Sequence, residues 1–246
     1  GDPRAGIPSL AQRLALNLHL PIAGQFVRTG IAEVAKTRAA IPVNPTLSAA
    51  DGLILINARW LLLASAADKF TPPLPDTAGL AASTIVWVHL SPQLAARIDP
   101  ARLHEPRTLE AVLPDLRRVS AASATLIDRP WQLLEHQRAA ILEDFARLGP
   151  ASDGHALPGA HILAPDHVHI APGVKLWPGV VLDAQAGPII LQRDTTVRAN
   201  AVITGPTAIG PDCLIRTAAD IREDCSLGPG CRVGGELANA LFLGHA

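Results

Sequence analysis

Methionine is absent from all 246 residues, position 1 included. We therefore expect a chain that starts inside a longer protein. No basic-then-apolar leader opens it, so no secretory signal is read. Lysine is scarce: Lys36, Lys69 and Lys175 are the only lysines among the 21 basic residues. The 22 acidic residues leave a formal net charge of −1, and no basic block stands out. That argues against nucleic acid as a partner. Cysteine is limited to three residues. They cannot all pair, no CxxC spacing occurs, and the setting read from them is a reducing cytoplasm. Long hydrophobic runs are missing too. The most apolar one, GLILINARWLLLASAA (52–67), is interrupted by Asn57 and Arg59 and is too short for a bilayer. No membrane contact is expected.

What is present reads as globular. Apolar residues make up 48% and charged residues 17%, over a length that can hold two modest domains. Residues 1–148 read as mixed α and β. GLILIN (52–57) and STIVWVHL (83–90) are short apolar runs of the buried-strand kind. GQFVRTG (24–30) is a weaker strand candidate. HEPRTLEAVLPDLRRV (104–119) has helical spacing, with Pro114 as a kink. WQLLEHQRAAILEDFARLG (131–149) is the clearest helix, with Leu133, Leu134, Ala140, Ile141 and Phe145 on one side and Gly149 at its end. Trp131 and Phe145 are expected to anchor it. Interleaved strands and helices suggest an α/β layer structure. Residues 149–165, rich in Gly, Pro and small side chains, read as a linker.

From 166 to 246 the pattern changes. Leu191, Val197, Ile203, Ile209, Ile215, Ile221, Leu227 and Val233 recur every sixth position without a miss. Ile170, Leu176 and Leu182 form an earlier run, set off by the AQAGP loop (184–188). Four residues after each aliphatic comes a mostly small or β-branched residue, including Cys213, Cys225 and Cys231. A period of six fits neither a helix nor a lone strand. It fits a parallel β-helix in which each hexad makes one side of a triangular coil. Residues 18 apart then stack: Leu191 with Ile209 and Leu227, Val197 with Ile215 and Val233, Ile203 with Ile221. The third column would continue at the polar Asn239, so the ladder is expected to break in GGELANALFLG (234–244).

Several stretches, in order, resemble the bacterial branch of sugar nucleotidyltransferase proteins similar to N-acetylglucosamine-1-phosphate uridyltransferase (GlmU-like). RAGIPSL (4–10) resembles its LRxGIxSL element, and GQFVRTGIAEVAKTRAAIPVN (24–44) its segment ending in PVN. LILINARWL (53–61) resembles its LLVNGRWL strand and turn, and RPWQLLEHQRAAILEDF (129–145) its PWDL…DF helix. HIAPGVKLWPGVVLDAQAGPIIL (169–191) and GPGCRVGGEL (228–237) resemble the opening of its β-helix and its VGGEV turn. Ala58 stands where the branch has Gly, and Gln132 where it has Asp.

The resemblance implies an N-terminally truncated, nucleotidyltransferase-like α/β domain followed by a left-handed, C-terminally truncated hexapeptide β-helix. It implies a cytoplasmic homotrimer that joins a nucleoside triphosphate to a sugar phosphate with Mg²⁺. Two alternatives stand beside it: an acyltransferase using acetyl-CoA between neighbouring prisms, and a non-catalytic β-helix that drives assembly.

Within that frame Arg4, Asn57 and Arg59 are candidates for substrate binding, the arginines because guanidinium pairs with phosphate oxygens. The alternative for the arginines is a turn or surface ion pair, and for Asn57 a local bond that ends its strand. Glu236, beside Gly234 and Gly235, is a candidate catalytic base, and His245 a candidate for proton transfer; an exposed turn is the other reading of Glu236. His167 and His169 have metal-like spacing, but no third ligand is evident, so no metal site is assigned. Cys213 and Cys231 should stack one coil apart, as a redox pair or as small apolar filler.

Overall fold

The structure, a computed structural model, describes residues 3–38, 41–46, 52–67, 74–99, 102–103, 105–109 and 112–246. The chain forms two compact units. One is Arg13–Leu126; the other joins Gly1–Gln12 to Ile127–Ala246.

In Arg13–Leu126 the two apolar runs become β1 (Leu53–Ile56) and β4 (Thr84–Leu90). They pair antiparallel, and β4 also pairs antiparallel with β3 (Thr77–Ala81). β3 in turn pairs parallel with β5 (Arg117–Ser120), giving a mixed sheet in the order β1-β4-β3-β5. β2 (Trp60–Leu61) and β6 (Thr125–Leu126) form a separate antiparallel pair. The helices are α1 (Leu10–Leu18), which starts in the other unit, then α2 (Thr29–Arg38), α3 (Ala64–Ala67) and α4 (Pro92–Ala95). Ser91 caps α4 by accepting the Leu94 N–H at 3.4 Å. Two apolar clusters hold the unit. Ala78, Val88, Leu90, Ile98 and Val112 form one, and Leu14, Trp60, Leu62, Val86 and Trp87 the other.

Two expectations in this unit are corrected. Residues 24–30 hold only the isolated bridge Gln25↔Val43, and Thr29 and Gly30 already belong to α2. The stretch 104–119 is not an α-helix. It forms 3₁₀ turns at Pro106–Leu109 and Leu113–Asp115 and then β5; His104, Glu110 and Ala111 lie outside the described residues. Pro114 sits inside the second turn, where the short 3₁₀ form tolerates it.

The other unit is built on a parallel β-solenoid with three walls. Wall one stacks β7 (Ala151–Ser152), β10 (Val168–Ile170), β13 (Ile189–Leu191), β16 (Thr207–Ile209), β19 (Cys225–Leu227) and β22 (Leu241–Phe242). Wall two stacks β8 (His155–Ala156), β11 (Lys175–Leu176), β14 (Thr196–Val197), β17 (Leu214–Ile215) and β20 (Arg232–Val233). Wall three stacks β9 (His161–Leu163), β12 (Val181–Asp183), β15 (Val202–Thr204), β18 (Asp220–Ile221) and β21 (Glu236–Leu237). The register places Leu191 on Ile209 on Leu227, Val197 on Ile215 on Val233, and Ile203 on Ile221. Ile203, Ile209, Ile215 and Ile221 are fully buried. Each such side chain contributes about 1.5–3 kcal/mol by leaving water.

The corners explain the polar half of the repeat. The residue three after most rungs takes left-handed backbone: Gly173, Gly179, Asp194, Asn200, Asp212, Ala218, Asp224 and Gly230. Gly tolerates that region freely, and Asn and Asp more readily than other residues. One residue later the small side chain is sealed inside, as at Thr195, Ala201, Thr207, Cys213, Cys225 and Cys231. Thr195 donates to the Gly210 carbonyl at 3.0 Å and Thr207 to the Thr204 carbonyl at 2.7 Å, so neither hydroxyl is buried without a partner.

Sequence and structure part at both ends of the solenoid. Residues 151–163, expected within a linker, supply β7, β8 and β9, which pair with the next coil. Their ladder is hidden in sequence because Ser152 keeps the phase but is not aliphatic, while Ala156 and Ile162 are shifted by two residues from the phase of the next coil. At the other end the phase breaks but the stack does not. Leu237 takes the place expected of Asn239, pairing with Ile221, and Phe242 pairs with Leu227. Shorter corners bring these two out-of-phase residues back onto the rungs.

The predicted long helix is two helices. α5 (Gln132–Glu135) ends at His136, whose φ −103° and ψ 0° interrupt the turn before α6 (Gln137–Leu148). Gly149 closes α6 at φ 73°. Ile141 is fully buried against Ile190 and Ala208, the outward residues of wall one, with Phe145 and Ile7 beside them. Phe145 thus anchors α6, whereas Trp131 is 60% exposed, with the Arg129 guanidinium over its ring.

Candidate functional site

Each residue singled out from sequence has a definite place. Arg4 is buried, and its guanidinium donates to the Ile7 carbonyl at 2.8 Å. Arg4 and Ser9 also form a bridge, so the RAGIPSL stretch closes as a small loop. The Ile7 N–H at its tip donates to Asp144 Oδ2 on α6 at 2.9 Å. Asp144 is 2% exposed and lies 3.6 Å from Arg147. Two stretches far apart in sequence, 4–10 and 129–145, therefore meet on one wall of the solenoid.

Asn57 ends β1 with one local bond and one bond to the neighbouring strand β4. Its Nδ2 donates to the Ile85 carbonyl at 2.9 Å, and its Oδ1 accepts the Arg59 N–H at 3.1 Å. Arg59 is exposed in the turn that follows. Ala58 is not among the residues with positive φ, so replacing Gly there strains nothing. Gln132 Oε1 accepts the Asp128 and Arg129 N–H groups at 2.7 and 2.8 Å, a capping task that an Asp carboxylate could also perform.

Glu236 lies on the outer side of wall three, exposed, with Oε1 at 2.7 Å from the Arg222 guanidinium. Its hydrogen bond raises the Arg222 pKa further above the ordinary arginine value. His245 follows β22. Its N–H donates to the Pro229 carbonyl at 2.8 Å, and its ring sits over Gly230, where a Cβ would come within 2.7 Å of Nδ1. Among the described residues no hydrogen bond or ion pair joins Glu236 to His245.

His169 Nδ1 contacts the Gly149 carbonyl at 2.8 Å, and His167 meets the Phe145 ring edge-on at 6.5 Å. Among the described residues no three His, Cys, Asp or Glu side chains gather as metal ligands. All three cysteines are free and buried. Burial pushes the Cys213 thiol up to about 12, and the Cys225 thiol is also raised, again chiefly by burial. Those thiols are filler, with the Cys213 S–H donating to the Gly228 carbonyl at 3.2 Å.

A shallow depression beside β5, lined by Leu80, Ala82, Arg118, Val119 and Ser120, contains none of the residues picked from sequence. The sequence reading missed Gln137, which is fully buried on α6. Its Nε2 donates to the carbonyls of Asp224 and Ala240 at the last coils. Arg138 adds an ion pair to Asp224 at 3.0 Å. A polar residue on the apolar side of α6 was the one available signal.

The fold defines a parallel β-solenoid built from hexapeptide repeats, with a helix bound to its first wall. No family model and no curated protein matches the chain. Among the described residues no helix is long and apolar enough to cross a membrane.

Proposed function

We propose that this chain is a transferase of the GlmU-like kind, in which Arg13–Leu126 is part of a nucleotidyltransferase unit and the solenoid is a left-handed hexapeptide domain. The reaction joins a sugar 1-phosphate to a nucleoside triphosphate and releases pyrophosphate. One observation carries the reading. The RAGIPSL and RPWQLLEHQRAAILEDF stretches, which bear the resemblance from opposite parts of the sequence, interlock through Ile7 and Asp144 beside the hexapeptide wall. In this reading Arg59 holds a phosphate oxygen and Asn57 shapes the turn beside it, while Arg4, in the other unit, holds the 4–10 loop through the Ile7 carbonyl.

Mg²⁺ belongs to this reaction class because it offsets phosphate charge. Among the described residues no three His, Cys, Asp or Glu side chains gather as a ready ligand set for it. The protein is to be incubated with panels of nucleoside triphosphates and sugar 1-phosphates. Pyrophosphate release is expected from at least one pair, and silence from every pair overturns the reading.

The second reading is acyl transfer from acetyl-CoA between prisms of a homotrimer. It is favoured by the solenoid itself and by Glu236 on its outer face, held at 2.7 Å by Arg222. Calorimetry with acetyl-CoA tests it; no heat of binding from the assembled protein excludes it. A solenoid that serves assembly alone is the remaining outcome if both assays are silent.

A further inference from the structure

The strands of wall two and the positions just after them carry basic side chains and no acidic ones. Arg97, Arg102, Arg138, Arg147, Arg193 and Arg222 each face a carboxylate within 4.0 Å. Lys175, Arg198, Arg216 and Arg232 lie along wall two, and among the described residues none of them has an ion-pair partner. No Asp or Glu occurs in β8, β11, β14, β17 or β20, nor at the position after each. The concentration is local, since the chain as a whole carries a formal charge of −1.

The register arranges these cations. Lys175 and Trp177 are two apart on one coil and so project to the same outer side. Arg198 follows Val197, which stacks on Leu176, so it stands one coil above Trp177. Its guanidinium lies over the Trp177 ring, 4.3 Å from the centroid. A stacked guanidinium keeps its in-plane N–H groups free for an oxyanion and has less freedom to lose on binding. Arg216 stands above Arg198 and lies across Gly234, where a Cβ would come within 3.1 Å of its stem. Glycine there leaves Arg216 room to lean toward the coil of Arg232. Four like charges along about three coil steps, each near 4.8 Å, repel one another unless an anion neutralises them.

We propose that the outer face of wall two binds a phosphorylated ligand, with its phosphate held by Lys175 and Arg198 beside Trp177 and drawn in by Arg216 and Arg232. Guanidinium and ammonium together suit a multiply charged phosphate or diphosphate better than a single carboxylate. The half-exposed Trp177 edge offers a surface for the rest of the ligand. The site is separate from the residues of the transferase reading and does not depend on it.

The test is titration of the whole chain with inorganic pyrophosphate, and in parallel with a nucleoside diphosphate, followed by calorimetry and tryptophan fluorescence at low and moderate salt. Saturable binding that weakens with salt is expected. Arg198→Ala and Lys175→Ala should each weaken it by about tenfold, Arg198→Lys by less, and Arg216→Ala by a few-fold. Arg129→Ala, which removes the other stacked arginine, should leave binding unchanged. These wall-two variants are surface changes, and an unchanged unfolding midpoint verifies their fold. Tighter binding of the nucleoside diphosphate, lost in Trp177→Leu, would identify an ester; equal binding would identify the diphosphate group alone. No saturable binding in the millimolar range overturns the site, as does full retention in the Lys175→Ala/Arg198→Ala pair. Loss in Arg59→Ala with retention in Arg198→Ala would place the anion in the other unit, overturning the wall-two site while leaving the transferase reading intact.

Discussion

At most corners of the prism one residue must adopt left-handed backbone, and the identity of that residue sets a local energy. Gly, Asn or Asp occupies nearly all of these places, but Ala218 sits at φ 55°. Left-handed backbone costs an L-residue with a Cβ roughly 1–2 kcal/mol, part of which glycine gives back through unfolded-chain entropy. Ala218→Gly should therefore stabilise the prism by about 0.5–1 kcal/mol, read as a higher urea midpoint at unchanged slope. The buried thiols supply a second test. The folded Cys213 pKa is pushed up to about 12 from an ordinary 9.0, so the folded state holds a proton that the unfolded chain releases above pH 9. Stability should thus fall as pH rises from about 9 toward 12, by at most about 1.4 kcal/mol per pH unit for this thiol. Urea unfolding at pH 8 and pH 10.5 measures the drop, and Cys213→Ala should reduce it. Iodoacetamide at pH 8 should leave Cys213 and Cys225 unmodified until denaturant is added.

Among the elements, α6 shows what periodicity can and cannot reveal. The apolar side of α5 and α6 together was legible: Leu133, Ala140 and Ile141 are buried as their spacing required. The break at His136 was not, because no Pro or Gly marks it, and nor were the buried Gln137 and Asp144. Both polar side chains bond distant backbone groups, Asp224 and Ala240 for one and Ile7 for the other, which no local pattern announces. The candidate residues divide in the same way. The bond between Asn57 and Arg59 could be read from a place at a strand end, whereas the Asn57 bond to Ile85 on β4 and the Arg222 partner of Glu236 on a neighbouring coil could not. Ile141→Ala should cost about 2–5 kcal/mol, since a fully buried side chain would leave a void between α6 and wall one. Differential hydrogen exchange should show the loss first in α6 and in the 4–10 loop. If α6 keeps its protection while the prism loses its own, the helix is not held by this contact.

For the whole solenoid the strict six-residue phase made the middle coils legible, because every side there has the same length and every rung a large aliphatic. The first and last coils were illegible because stacking fixes where a rung sits in space, and the chain can reach that point by corners of different length. In such a stack each coil leans on its neighbours, so one charged rung should damage several. Ile215→Asp places a carboxylate between Val197 and Val233 at a fully buried position. A loss of several kcal/mol is expected, with protection falling in the coils on both sides. Confinement of the damage to one coil would argue for independent repeats.

The loop at 184–188 carries this elasticity furthest. Ile170 and Leu191 are 21 residues apart where the next partners, Leu191 with Ile209 and Ile209 with Leu227, are 18 apart, yet they face each other in register. Surplus chain is shed sideways as a bight, and the ladder above it is undisturbed. A short flexible peptide spliced between Gln185 and Ala186 should therefore leave the melting temperature within a few degrees of the parent, making this corner a natural docking port for a label or an affinity tag.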